Sequence, residues 1–146
     1  MRINNYTLIN YNNILESYVE KHLPQKISFA ITKNLLLFSN NLEAYKQSLQ
    51  KIYDAYNPYF VTNDDGNIMQ LSNGLPQVDE EHLKDYFAEI DELLNLEVDI
   101  DLYHISDSVF DYEDDKYDAL SPADIIMLSD VICKRDMQNS HLEDAK

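Results

Sequence analysis

The sequence predicts an α+β domain, mostly helical, in which a long central helix is packed by two or three shorter helices beside a small β element. Three observations predict it. Apolar residues recur at helical spacing across the thirty-three residues 24–56, with no glycine and no interior proline. From Glu97 to Leu102 the period changes to two, with acids alternating against apolar residues, as on a half-buried strand. Between them, Asn57-Pro58 and an Asp-Gly turn mark a hairpin at 59–71.

Taken in order, Leu8, Tyr11, Leu15, Tyr18 and His22 step by 3, 4, 3 and 4, so a first helix is expected over 8–22 with Thr7 as its cap. His22 ends the stripe and is read as a partly buried core or last-turn residue and not as a ligand. Pro24 bends the chain into the central helix, whose stripe is Ile27, Ile31, Leu35, Phe38, Leu42, Tyr45, Leu49, Ile52 and Tyr56. From Leu35 the stripe is heptad-like over three repeats. The other amphipathic helices are available to cover it, which favours a monomer over a homodimer.

The hairpin pairs 59–62 with 67–71 around Asn63-Asp64-Asp65-Gly66, and 72–77 is expected to be a loop. A calcium loop is rejected because a glycine at its sixth position would put Val61 where the first aspartate belongs. Asp79 caps a helix running to about Asn95, with Glu80 and Glu81 at the positive end of its dipole and Val78 stapled onto Leu83. A strand at 97–103 follows, then an acidic loop from Asp107 to Asp118. Ser121-Pro122-Ala123-Asp124 opens a last helix that contains Cys133 and ends near Arg135. Residues 1–135 are read as one domain and 136–146 as a frayed tail.

Charge is the strongest compositional fact: 27 acids against 11 bases give −16 in 146 residues. Residues 1–56 carry six bases and four acids, a net of +2, while Asp79–Asp118 carries sixteen acids and two lysines, a net of −14. Such a field repels nucleic acid and membrane surfaces and attracts basic proteins. Two glycines leave no phosphate-cradling loop, and a single cysteine leaves no intrachain disulfide. The N-terminus lacks signal-peptide character and no apolar run reaches membrane-spanning length, so a cytoplasmic, membrane-free protein is expected. The histidines, His22, His82, His104 and His141, have no ligand spacing, and no nucleophile–histidine set is visible; no catalytic residue, metal or cofactor is assigned.

Two stretches are candidate contact sites. Glu97, Asp99 and Asp101 share a strand face, about 6.6 Å between neighbours, a row comparable in sign and spacing to successive phosphates of a nucleic-acid strand. A solvated face and a metal or catalytic carboxylate pair formed by Asp99 and Asp101, with His104 nearby, are the competing readings; Asp-x-Asp is common on strands and His104 lies on the opposite face, which argues against the second. Asp111, Tyr112, Glu113, Asp114, Asp115, Tyr117 and Asp118 form the other stretch, too charged for a core and too aromatic for an inert linker.

Leu23-Pro24 with Lys26, Ala30-Ile31 with Lys33-Asn34, Glu92-Leu93-Leu94 before Glu97-Val98-Asp99-Ile100, and Leu120-Ser121-Pro122-Ala123-Asp124 form an ordered set over roughly residues 20–132. In that order they resemble a family of small phage and prophage proteins of unassigned function. The resemblance implies a phage-encoded protein in the bacterial cytoplasm and supplies no catalytic residue. With the charge it leads to an expected function: an acidic inhibitor occupying the basic surface of a nucleic-acid-binding host protein, as an anti-CRISPR or anti-restriction DNA mimic would. The alternative is a phage assembly or accessory factor acting through helical contacts.

Overall fold

The long helix is present as expected and organises the rest. In the computed structural model, which describes residues 1–133, the elements are β1 (Arg2–Asn4), α1 (Asn5–Glu16), α2 (Gln25–Tyr56), a 3-10 turn at Asn57–Tyr59, α3 (Glu80–Asn95), β2 (Glu97–Asp99), a second 3-10 turn at Asp107–Phe110 and α4 (Pro122–Ile132). The α+β class holds. Arg135 and the expected tail at 136–146 lie outside the described residues.

The 32 residues of α2 span about 48 Å at ~1.5 Å per residue. Pro24 starts the helix: its carbonyl accepts from the amides of Ile27 and Ser28, both at 3.0 Å. Two apolar clusters sit along its length. The first collects Ile27, Ala30, Ile31 and Phe38 with Leu8 and Leu15 of α1, Ile100, Leu102, and Leu128, Val131 and Ile132 of α4. The second, toward the C-terminal end, collects Leu49, Ile52, Tyr53 and Tyr56 around Val78, Tyr86 and Ile90. Most of the stripe thus packs within the chain, against α1 and α4 on one half and α3 on the other, while Tyr45 belongs to neither cluster and is half-buried.

Several expected boundaries are corrected. α1 begins three residues before Leu8, because Asn4 rather than Thr7 is the cap: its side chain accepts from the Thr7 amide at 2.8 Å. It ends at Glu16 instead of His22, where turns such as Tyr18 N–H to the Leu15 carbonyl, 3.1 Å, tighten the chain. His22 is exposed, not partly buried. α4 stops at Ile132, since Cys133 leaves the helix to make a parallel bridge with Ile105. The strand is shorter than 97–103, but its partner was not expected: β1 pairs antiparallel with it, Ile3 opposite Val98. Asn5 reinforces the joint, its side-chain Nδ2 donating to the Leu93 carbonyl at 2.8 Å.

The largest correction is at 59–79. The expected pairing across the Gly66 turn exists, Thr62 bridging Ile68, but 72–77 is a second turn and a third arm. The Met69 amide donates to the Val61 carbonyl (2.8 Å), Gln77 to Met69 (2.8 Å) and Val61 to Gln77 (2.9 Å), so three arms eight residues apart close into a ring. An outer tier repeats the pattern, Asn63 to Asn67 (2.9 Å), Leu71 to Leu75 (2.8 Å) and Asp79 to Tyr59 (3.0 Å). Gly66 and Gly74 occupy equivalent corners at φ of 81° and 84°, a region other residues enter at a cost; the chain enters and leaves at the third corner. Tyr86 anchors this knob from below, its hydroxyl donating to the Pro76 carbonyl at 2.9 Å.

Candidate functional site

The alternation at 97–102 sets its side chains as expected. Val98 is half-buried and Ile100 and Leu102 are buried in the first cluster, which leaves Glu97, Asp99 and Asp101 exposed. Pairing with β1 holds this row in place, and the Ile100 amide extends the pairing by donating to the Met1 carbonyl at 2.8 Å. β1 also brings a cation to the row: Arg2 lies opposite Asp99 in register, and its Nε is 3.4 Å from the Glu97 carboxylate. Both partners are well exposed, so the pair contributes little to stability.

The acidic loop is built around its aromatics. Phe110 and Tyr112 pack against the first cluster, and the Tyr112 hydroxyl donates to the Asp118 carbonyl at 2.5 Å. Tyr112 and Tyr117 meet edge to face with ring centroids 5.7 Å apart, and Tyr117 meets the His22 ring in the same way at 5.3 Å. Burial, then the nearby Asp118, raises the Tyr112 phenol above its ordinary range. The Lys116 ammonium stands 5.0 Å from the Tyr117 ring centre and 3.6 Å from the Asp114 carboxylate. Asp111, Glu113, Asp114, Asp115 and Asp118 are all exposed.

Between this loop and the start of α4 lies a cavity of about 270 Å³. Phe110, Tyr112, Tyr117, Leu120 and Ile125 contribute apolar walls, and Glu113, Asp114 and Asp115 contribute carboxylates. Five of the candidate residues are therefore brought together: Tyr112, Glu113, Asp114, Asp115 and Tyr117. Asp111 and Asp118 are not part of the lining, and neither is any acid of the strand row. Asp118 instead accepts from the His22 amide at 2.7 Å, which fastens the loop to the link between α1 and α2.

The last helix is fastened to the same region. Ser121 and Asp124 form a reciprocal capping box, and the Tyr18 hydroxyl donates to Asp124 at 2.6 Å. That bond, followed by those from Ser121, holds the Asp124 carboxyl below its ordinary range, while burial and the Asp124 bond push Tyr18 up to about 12.

His22, Leu120 and Ile125 join this region, and Arg2 the strand row, without a sign in the sequence. Their pairings span up to 97 positions, and no local pattern marks them. Among the described residues, no group of three or more His, Cys, Asp or Glu is placed to hold a metal ion, and no helix is long and apolar enough to cross a membrane. Comparison of the chain with family models, curated proteins and solved structures finds no match.

Proposed function

We propose that this chain is a non-enzymatic acidic binding protein that occupies the basic, nucleic-acid-binding surface of a partner protein. The observation that carries the reading is the sorting at 97–102: three carboxylates exposed along one edge while the three alternating apolar side chains are turned into the core. Glu97 and Asp99 are held on the paired strand and Asp101 lies just past its end, so the acids present a row of negative charge without the entropy cost of ordering a flexible tail, and a basic groove accepts such a row as it accepts phosphates. The resemblance to small phage proteins supplies the setting: an inhibitor of a bacterial defence protein, in the host cytoplasm, that binds no nucleic acid or membrane itself.

A second reading, an assembly or accessory factor acting through helical contacts, is favoured by one feature of α2. Phe29 and Leu36 stand out from the helix at 54% and 67% exposure, outside both apolar clusters. In that case the charge serves solubility, and self-association through α2 enters in place of the monomer.

The test is capture of proteins from bacterial lysate on the immobilised chain, followed by elution with duplex DNA. Release of a basic protein by DNA supports occupation of a nucleic-acid site. Retention of every captured protein against DNA and against molar salt overturns it.

A further inference from the structure

We infer that the cavity between the acidic loop and α4 is an anchor pocket for an arginine side chain of the basic partner. This rests on the function proposed above and adds a position and a residue type to it. The walls are aromatic and aliphatic, Tyr112, Tyr117, Leu120 and Ile125 among them, whereas Glu113 and Asp115 bring negative charge to the same cavity. A ligand for this cavity must lie against the rings and also satisfy the carboxylates, and an anion is excluded by charge. A cation with a flat, weakly hydrated face meets both demands: the guanidinium stacks on aromatic rings and binds carboxylates through its fork of N–H donors. An ammonium, compact and strongly hydrated, meets only the second.

The loop already displays part of this chemistry with its own cation. Lys116 sits over the Tyr117 ring with Asp114 beside it, and Tyr117 raises the lysine above its ordinary range. Lys116 is exposed, so it makes this contact from solvent. It therefore competes with an incoming cation for the same ring and the same carboxylate. Removing it frees the ring and adds to the negative field, so Lys116→Met strengthens binding of an external arginine, which loss of a merely structural contact does not do.

The probes are fluorescent octa-arginine and octa-lysine peptides, titrated by anisotropy at 0.15 M salt against the full chain and four variants. Ala119→Trp plugs the cavity from an exposed position on its lining, and Asp115→Asn neutralises one carboxylate. Lys116→Met is the gain variant, and the strand reversal Glu97→Lys/Asp99→Lys/Asp101→Lys is the control for the wider acidic surface. Thermal melts by circular dichroism establish that each variant folds. The expected result is that octa-arginine binds about 3-fold tighter than octa-lysine, Ala119→Trp and Asp115→Asn each weaken octa-arginine by about 3-fold, and Lys116→Met tightens it about 2-fold, the scale of exposed cation–π contacts. Equal binding of the two peptides, or indifference to Ala119→Trp in a folded variant, overturns the pocket. If the strand reversal alone abolishes binding, the acidic-surface reading stands and the pocket falls; if neither peptide binds the wild-type chain, both fall.

Discussion

Asp118 and His22 are joined by two hydrogen bonds: the His22 amide donates to the Asp118 carboxylate at 2.7 Å, and the Asp118 amide donates to the His22 carbonyl at 2.8 Å. A loop dense in carboxylates repels itself, and this pair, with the His22–Tyr117 ring contact, holds it against the link between α1 and α2. Asp118→Ala removes one of the two bonds and leaves the other exposed to water. The expected cost is about 1 kcal/mol, with faster hydrogen exchange confined to 108–118 and unchanged protection in α2.

Asn34 makes a second clasp, deeper in the fold. Fully buried in α2, it donates to the Tyr103 carbonyl at 2.9 Å and accepts from the Tyr103 amide at 2.8 Å, taking the place of a missing strand neighbour. Asn34→Ala strands both backbone groups, and urea denaturation is expected to register a loss of about 3 kcal/mol. Asn34→Asp, which keeps the acceptor and buries a charge, is expected to be worse.

The knob makes a prediction about backbone alone. Nothing lies within 4 Å of a Cβ built on Gly66 or Gly74, so alanine there meets no clash and feels only the positive φ. Each Gly→Ala change is expected to cost about 1 kcal/mol, and Gly→Asn clearly less, because asparagine tolerates that region. Measured in the same urea experiment, equal costs for alanine and asparagine would contradict the assigned turn geometry.

Stability is expected to fall at both ends of the pH range, for separable reasons. Tyr18 and Tyr86, through burial first, and Tyr56, through its bond to Glu89 first, are each pushed up to about 12. An unfolded tyrosine ionises near 10, so their contribution is intact below about pH 10 and is lost as pH rises toward 12. Asp124 runs the other way: held low when folded, it contributes above the unfolded carboxylate value of about 3.9 and is lost as pH falls through its folded value. Tyr18→Phe is expected to flatten both limbs in pH-dependent thermal melts, since it removes one raised phenol and the principal bond to Asp124.

What could be read from the sequence follows from the range of the interactions involved. The period of the stripe from Ile27 to Tyr56, the cap at Asp79, the capping box at Ser121 and the inward set of Val98, Ile100 and Leu102 are all local patterns, and each lies where expected. β1 has three residues, too few for a period, and is defined only by its partner some 95 positions away. The closed ring at 59–79 goes beyond the expected hairpin: Asn73-Gly74 marks the second turn as clearly as Asp65-Gly66 marks the first, but the third pairing joins Val61 to Gln77 across a sixteen-residue gap that no local pattern signals. At the candidate site the same division applies. The strand row and the acidic aromatic loop are separate stretches already in the sequence, whereas the cavity depends on Leu120 and Ile125, brought against the loop by tertiary packing.

The central claim is that the strand acids make the contact with a basic, nucleic-acid-binding partner, and association kinetics test it most directly. Rates for the DNA-eluted partner are measured for the wild-type chain and for Glu97→Lys/Asp99→Lys/Asp101→Lys across ionic strength. The wild-type rate is expected to fall steeply as salt shortens the screening length to about 8 Å and below, and the reversal to slow association at low salt by at least about 10-fold with the fold intact. A folded triple variant that binds at the wild-type rate, while Phe29→Ser/Leu36→Ser abolishes binding, contradicts the claim and transfers the contact to the exposed face of α2.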